Sequence, residues 1–327
     1  MKKIIPFVFV FFVLISCSKK SSTDPINNPV ACSNPTRADL EKIQIFPATH
    51  PLNTDISAAG LDANSASIIA AIGSVGLHPD FGSGLWQGAP IGIPFSVVCA
   101  NQTKVPITFR ANGYDGNYGN ESEPGPYPVP LTAAIEGNGI GDSHVLTVDI
   151  ENGKLYELYN AGISPIDLGW EASCGAVFDL NSITYRPAGW TSADAAGLPI
   201  LPCLIRYDEV ASGKIDHCLR FTLSKPKVYN GYVEPARHKV SGTGTLGSSL
   251  PMGARLRLKA SFNISTYPAN IQVILKAMKS YGLILADIGS DMFITGAPDL
   301  RWNDTELQTL KNIKATDFEV VQIGTIK

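Results

Sequence analysis

HVLTVDIENGKLYELYN, residues 144–160, is the stretch whose reading decides the fold. Two runs rich in β-branched and aromatic residues flank Glu151-Asn152-Gly153-Lys154. An Asn-Gly pair between such runs is a strong hairpin signal, because both central residues of the tight turn take positive φ. Side chains alternate across a strand, so His144, Leu146, Val148 and Ile150 share one face, and Glu157 projects from the second strand. The spacing predicts an antiparallel hairpin at the heart of a β-rich chain.

Outward from the hairpin, strands are expected at 94–100, 105–110, 283–286, 292–295 and 317–323. Asn64-Ser65 followed by Ile68, Ile69, Ile72 and Val75 predicts an amphipathic helix ending at Gly76. Pro268 opens a second, with Ile271, Ile274, Leu275 and Met278 in one stripe and Gly282 as its stop. Asn303 with Glu306 makes an N-cap pair for a third. Residues 204–223 admit two structures: a hairpin turning at Ser212-Gly213 with Asp208 across from His217, or a helical turn from Asp208 through Ala211 stopped by Gly213. The second is favoured, since Asp-Glu at a start and Gly at an end are mutually consistent. Both leave 215–223 as a strand with Ile215, His217, Leu219 and Phe221 on one face. Many short strands and few helices predict a mostly β, α+β fold with peripheral helices around a β-sandwich, jelly-roll-like core.

Composition agrees. The 327 residues are 44% hydrophobic and only 17% charged, with 30 Gly and 23 Pro, which excludes disorder for the body and disfavours a helical bundle. Lys and Arg total 26 against 29 Asp and Glu, a net charge of −3, so nucleic acid is not the expected partner.

The first residues read MKKIIPFVFVFFVLISC. Lys2 and Lys3 precede an apolar run from Ile4 to Ile15, too short to span a bilayer but right for a signal-peptide core. Leu14-Ile15-Ser16-Cys17 resembles the lipobox of bacterial lipoproteins. The resemblance implies cleavage before Cys17, lipidation there with palmitate-type acyl chains, and a membrane-anchored protein of the cell envelope. Residues 1–16 are thus expected to be the signal peptide, and 17–36 the lipidated Cys with a polar, Ser/Asn/Pro-rich tether. Residues 37–327 are expected to form a single β-rich globular domain. Besides Cys17 there are Cys32, Cys99, Cys174, Cys203 and Cys218; an odd number leaves at least one thiol free even in an oxidising envelope. Cys99 and Cys218 lie in apolar runs where a buried thiol is the default reading, and a Cys174–Cys203 bridge is one pairing the sequence allows.

Several motifs resolve to nothing. Gly242-Thr243-Gly244-Thr245-Leu246-Gly247 spells a dinucleotide fingerprint but lacks the flanking strand and helix. Gly141-Asp142-Ser143 resembles a GDS-esterase block, yet it precedes its strand and no later Asp-x-x-His follows. His50, His78, His144, His217 and His238 show no metal-ligand spacing, so no metal is expected. The loop from Tyr114 through Asp115, Tyr118 and Glu121 to Glu123 combines acids with aromatics. Its 115–123 oxygens suit Ca²⁺ without EF-hand spacing, and its rings suit sugar faces.

The runs LTVDIENGKLYELYNA, WTSADAAGLPILPCLIRYDEVASGKIDHCLRF, EPARH, PMGARLRL and KSYGLILADIGSD resemble a loosely defined set of secreted bacterial proteins, over most of residues 50–325. The resemblance brings no activity with it and bears on the fold only. In that set the position of Cys218 is usually Ala, which implies a packing role for Cys218.

These features point to a lipid-anchored envelope enzyme acting on extracellular polysaccharide, a glycoside hydrolase or a lyase. A hydrolase needs paired carboxylates, for which Glu157 and the neighbouring Asp142 are the candidates. A lyase would use His217 or His144 as base, with Arg220 neutralising a uronate. Tyr114, Tyr118, Glu121, Trp170, Trp190 and His238 are the candidate substrate-binding residues. The alternative is a non-catalytic glycan-binding or adhesion lipoprotein, with Trp86 joining Trp170 and Trp190 in its recognition surface. Acids and histidines converging in a cleft would favour the first, and aromatics on a flat exposed face the second.

Overall fold

The decisive hairpin forms in the computed structural model, which describes Met1 and residues 32–111 and 118–327. Val145–Asp149 pairs antiparallel with Lys154–Tyr159, setting Leu146 opposite Glu157 and Asp149 opposite Lys154. The turn differs from the expected two-residue form. Of the Asn-Gly pair only Gly153 takes positive φ (59°), and a longer loop over residues 150–153 joins the strands. The Asp149 carboxylate organises that loop, accepting from the Asn152 backbone N–H (3.0 Å) and its Nδ2 (2.7 Å).

The hairpin is the centre of a four-stranded sheet ordered Cys174–Asp179, Lys154–Tyr159, Val145–Asp149 and Phe95–Val98. Every residue of Val145–Asp149 is buried, because this sheet divides two apolar clusters. Leu146, Val148, Leu155, Ala176 and Phe178 face the main core. Val145 and Leu158 face a smaller one with Tyr127, Trp170 and Ala172.

A six-stranded sheet supplies the other wall of the main core, in the order His78–Asp80, Phe293–Thr295, Leu219–Leu223, Leu283–Ile288, Arg255–Leu258 and Phe318–Val320. The helix Ala269–Ser280 packs against it through Ile271, Ile274, Leu275 and Met278, all buried as their spacing predicts. Gly282 (φ 74°) ends the segment where a Cβ would collide with the Leu256 carbonyl. The β-rich α+β class is as expected. The jelly-roll part of the expectation is not confirmed: Leu219–Leu223 runs parallel to Leu283–Ile288, His78–Asp80 to Phe293–Thr295, and Phe95–Val98 to Val145–Asp149. A jelly roll is antiparallel.

Two local features set up the site. Phe221 lies opposite Leu285 but Thr222 opposite Asp287. Ala286 is therefore a bulge, and it turns Asp287 onto the face carrying Arg220 and Thr222. The 204–223 stretch takes the helical alternative, Tyr207–Ala211, with Gly213 left-handed (φ 86°). The strand after it is shorter than expected, Leu219–Leu223, which leaves His217 outside it. Cys32 is bonded to Cys99, so the folded part reaches into the expected tether, and Cys99 is not the free thiol its apolar setting suggested. The signal peptide, Cys17, the tether up to residue 31, Tyr114 and Asp115 lie outside the described residues.

Candidate active site

Arg220 organises a polar cluster at one end of the six-stranded sheet. Its Nη1 donates to Thr295 Oγ1 (2.7 Å), while Nε and Nη2 fork onto Asp194 Oδ2 (3.2 Å) and Oδ1 (2.9 Å). Both ions are buried. Burial opposes the guanidinium charge, but Asp194 outweighs it and raises the Arg220 pKa further. The turn carrying Asp194 is fastened to the bulge by Ala196 N–H donating to the Ala286 carbonyl (2.9 Å).

His144 reaches the same turn from the other sheet. Its Nδ1 lies 2.5 Å from Glu136 Oε2 and its Nε2 2.9 Å from the Ala193 carbonyl. A carboxylate and a carbonyl both accept, so both ring nitrogens donate and the ring is an imidazolium. Burial pulls the His144 pKa down, the Glu136 charge pulls it up, and the balance stands at about 9. Glu136 in turn is held below its ordinary value, His144 overcoming the cost of burial.

Three further acids complete the cluster. Burial, with the Asp194 and then the Asp142 charge, pushes half-buried Asp287 up to about 7 against the pull of Arg220. Asp80, opposite Thr295 in the sheet, is also raised, by burial and then by Glu136. Asp142 is exposed and acts on both His144 and Asp287. Asp80, Glu136, Asp142, Asp194 and Asp287 thus gather around two cations, and burial first, then the Asp194 and Asp142 charges, hold a proton on Asp287 up to about neutrality. Ser143 adjoins the cluster at φ 51°, but its Oγ donates to the Gly141 carbonyl (3.2 Å) and meets no imidazole.

The remaining residues expected in a site lie elsewhere. Glu157 is fully buried and accepts the N–H groups of Ile200 (2.9 Å) and Leu201 (2.9 Å) at the start of the Leu201–Cys203 turn. Burial lifts it to about 7 against those two donors; it is a capping carboxyl inside the core, not one flanking a cleft. Trp170 is also fully buried, its Nε1 donating to the Val129 carbonyl (3.3 Å), and is a core residue of the smaller cluster. Trp190 is half-buried beneath the Arg186 guanidinium. Glu121 is tied down through Oε2 to the Thr191 N–H (2.7 Å), and Glu123 holds Arg186 Nη1 (2.5 Å) and the Val177 N–H (3.1 Å). Tyr118 begins this pinned segment, its backbone N–H donating to the Ser173 carbonyl (3.1 Å). His238 Nδ1 bonds the Ala195 carbonyl (2.8 Å), on the turn that carries Asp194.

His217 occupies a separate cleft of about 550 Å³ with Glu41, Arg206 and Glu209. Its Nε2 meets Glu209 Oε2 (2.9 Å) and its Nδ1 the Cys218 carbonyl (2.8 Å), so this ring too donates from both nitrogens. Arg206 bridges Glu209 (2.6 Å) and Glu41 (2.8 Å). Cys32, Cys99 and Glu151 approach one another as metal ligands do, but the two sulfurs are bonded together.

Comparison with protein-family models, curated proteins and solved structures finds no match. The chemistry therefore rests on the cluster itself. Of the expected site residues it gathers His144, Arg220 and Asp142; Asp80, Glu136, Asp194 and Asp287 escaped sequence reading. Asp287 carried one usable signal, an acid ending the apolar run LILA, where the carboxyl ends of parallel strands often hold ligands.

Proposed function

We propose that this chain is an envelope-anchored hydrolase of extracellular polysaccharide, with Asp287 as proton donor and Asp142 as the companion carboxylate. One observation carries the reading: the Ala286 bulge sets half-buried Asp287 on the face that carries Arg220, where burial and the charges of Asp194 and exposed Asp142 raise its pKa. A glycosidic bond breaks when an acid protonates the leaving oxygen while a carboxylate on the other side attacks or activates water. Arg220 acts as a positioning residue, holding Asp194 so that its charge at Asp287 is fixed, and His144 pairs with Glu136. Elimination is the weaker option here. It needs a neutral base and a cation free to meet a uronate, whereas His144 and His217 donate from both nitrogens and Arg220 already donates from Nε, Nη1 and Nη2 to Asp194 and Thr295.

One observation favours the glycan-binding alternative. Trp86 is 70% exposed beside exposed Leu85, on the hairpin Leu85–Trp86/Ala89–Pro90. That hairpin is linked to the Glu136–Gly139 turn through Asn138 Nδ2 donating to the Gly88 carbonyl (3.3 Å). A flat ring next to the acid cluster suits a sugar face in a binder or in an enzyme.

The test incubates the full chain in detergent with neutral and acidic polysaccharides, recording reducing ends and the ultraviolet absorbance of unsaturated uronates. New reducing ends without absorbance are expected, falling by about 10²–10⁴ in Asp287→Asn. Absorbance rising with the reducing ends would replace hydrolysis by elimination. Binding without new ends would leave the glycan-binding reading.

A further inference from the structure

Two sulfurs stand in contact next to residues that line the His217 cleft. Cys203 Sγ and Cys218 Sγ are 3.7 Å apart, 15 residues apart in sequence, and both side chains are fully enclosed. Pro202 and His217, the residues immediately before each cysteine, line the cleft. A disulfide is about 2.0 Å long, so bond formation needs the two sulfurs to approach by about 1.7 Å. Cys174, the third cysteine not bonded in the structure, sits apart, its Sγ 3.6 Å from Ser122 Oγ. The Cys174–Cys203 bridge that the sequence allowed is therefore not the pairing this fold favours.

We propose that Cys203 and Cys218 form a second disulfide in the mature protein, closing the segment that builds the wall of the cleft. That segment contains the helix Tyr207–Ala211 and carries Arg206, Glu209 and His217, the members of the ion network that Glu41 joins from outside it. The oxidant is a disulfide-bearing thiol oxidase or a small-molecule disulfide of the compartment. One cysteine thiolate attacks a sulfur of that disulfide and expels one of its thiolates. The second cysteine then displaces the other, leaving a Cys203–Cys218 bond, two reduced donor thiols and no net change in protons. Enclosure places the step during folding or local opening, and the closed bond is then shielded from reductants.

The experiment takes full-length protein, exported and extracted from the envelope, denatures it without reductant in an alkylating agent, and maps the peptides. A cross-linked peptide pair containing Cys203 and Cys218 is expected, with Cys174 alkylated. The Cys32–Cys99 cross-link is the internal standard for exposure to oxidant. Should that pair be linked while Cys203 and Cys218 both carry the alkyl group, or should either be linked to Cys174, the proposal is wrong. If Cys32–Cys99 is itself open, the chain is denatured, reduced and refolded in a glutathione redox buffer until it closes, and the same criterion applies. A Cys203→Ala/Cys218→Ala double variant keeps the packing free of unpaired thiols. It should lose several degrees of Tm relative to the oxidised chain and no longer respond to reductant at this site; an unchanged Tm would count against the bond.

Discussion

Asp194 and Arg220 face each other as a two-pronged pair, Nε to Oδ2 at 3.2 Å and Nη2 to Oδ1 at 2.9 Å, with neither side chain open to water. Removing one member leaves the other charged and enclosed, at a cost of about 3–5 kcal/mol. Asp194→Ala should therefore shift the urea midpoint sharply downward. The double variant Asp194→Leu/Arg220→Met should recover most of that loss, because no unpaired charge remains. Equal losses in the single and double variants would show that an unpaired, buried Arg220 charge is not the source of the loss.

The His144–Glu136 contact makes stability depend on alkaline pH. Folding raises the His144 pKa from about 6.5 to about 9, so the folded state binds the proton more tightly. That contribution is fully present below pH 6.5 and is lost as pH rises through 9. Glu136→Gln should be less stable than the native chain at pH 6, with the gap narrowing towards pH 9.5. Denaturant titrations at three pH values measure this, and a gap constant with pH would refute it.

Asp287 and Glu157 act in the same direction, over a lower pH window. Both carboxyls rise on folding, to about 7, so each favours the folded state at low pH and costs stability as the unfolded chain ionises above pH 4, levelling off above 7. Asp287→Asn and Glu157→Gln should each be more stable than the native chain at pH 8 and close to it at pH 4. Only Asp287→Asn should abolish hydrolysis. Glu157→Ala leaves two buried N–H donors without their acceptor and should lose several kcal/mol, at about 1–3 kcal/mol per group, while the active chain that remains folded keeps its turnover. Loss of turnover in Glu157→Gln would move the proton donor to that residue.

Trp86→Ala removes an exposed ring and should leave folding stability unchanged to within about 0.5 kcal/mol. Affinity for an accepted polysaccharide should fall by about tenfold or more, in line with the loss of a well-placed aromatic contact. Binding unchanged by this substitution would remove the hairpin from the recognition surface.

How much of this was legible depended on sequence distance. The hairpin, the helix Ala269–Ser280 and the Asn303 cap, whose Oδ1 accepts from Thr305 and Glu306, are written in short-range periodicity and cap chemistry. His144 was visible as a polar residue on an apolar strand face. Its partner Glu136 was not, because it sits eight residues upstream in a turn whose Gly137 and Asn138 are both left-handed. The strand order was hidden too, since the pairing of Leu219–Leu223 with Leu283–Ile288 spans some sixty residues without a local signal. Asp287 depends on that pairing twice over. Only the bulge at Ala286 turns it towards Arg220, and strict alternation along the strand predicts the other face. Glu157 misled for a related reason: a charged residue on a strand reads as exposed, and the N–H groups that make its burial tolerable come from residues 200 and 201.

The Cys32–Cys99 bond fixes where mechanical load enters the molecule. A pull on the chain upstream of Cys32 passes through the sulfurs to Cys99, at the end of the strand Phe95–Val98, and from there along the parallel hydrogen bonds to Val145–Asp149. Such a ladder loaded along its length resists in shear, with several bonds sharing the force. The 67-residue separation bypassed by the bond includes the Arg37–Lys42 turn, whose Glu41 borders the His217 cleft. Force entering upstream of Cys32 bypasses that turn, so the cleft wall it forms is spared the load.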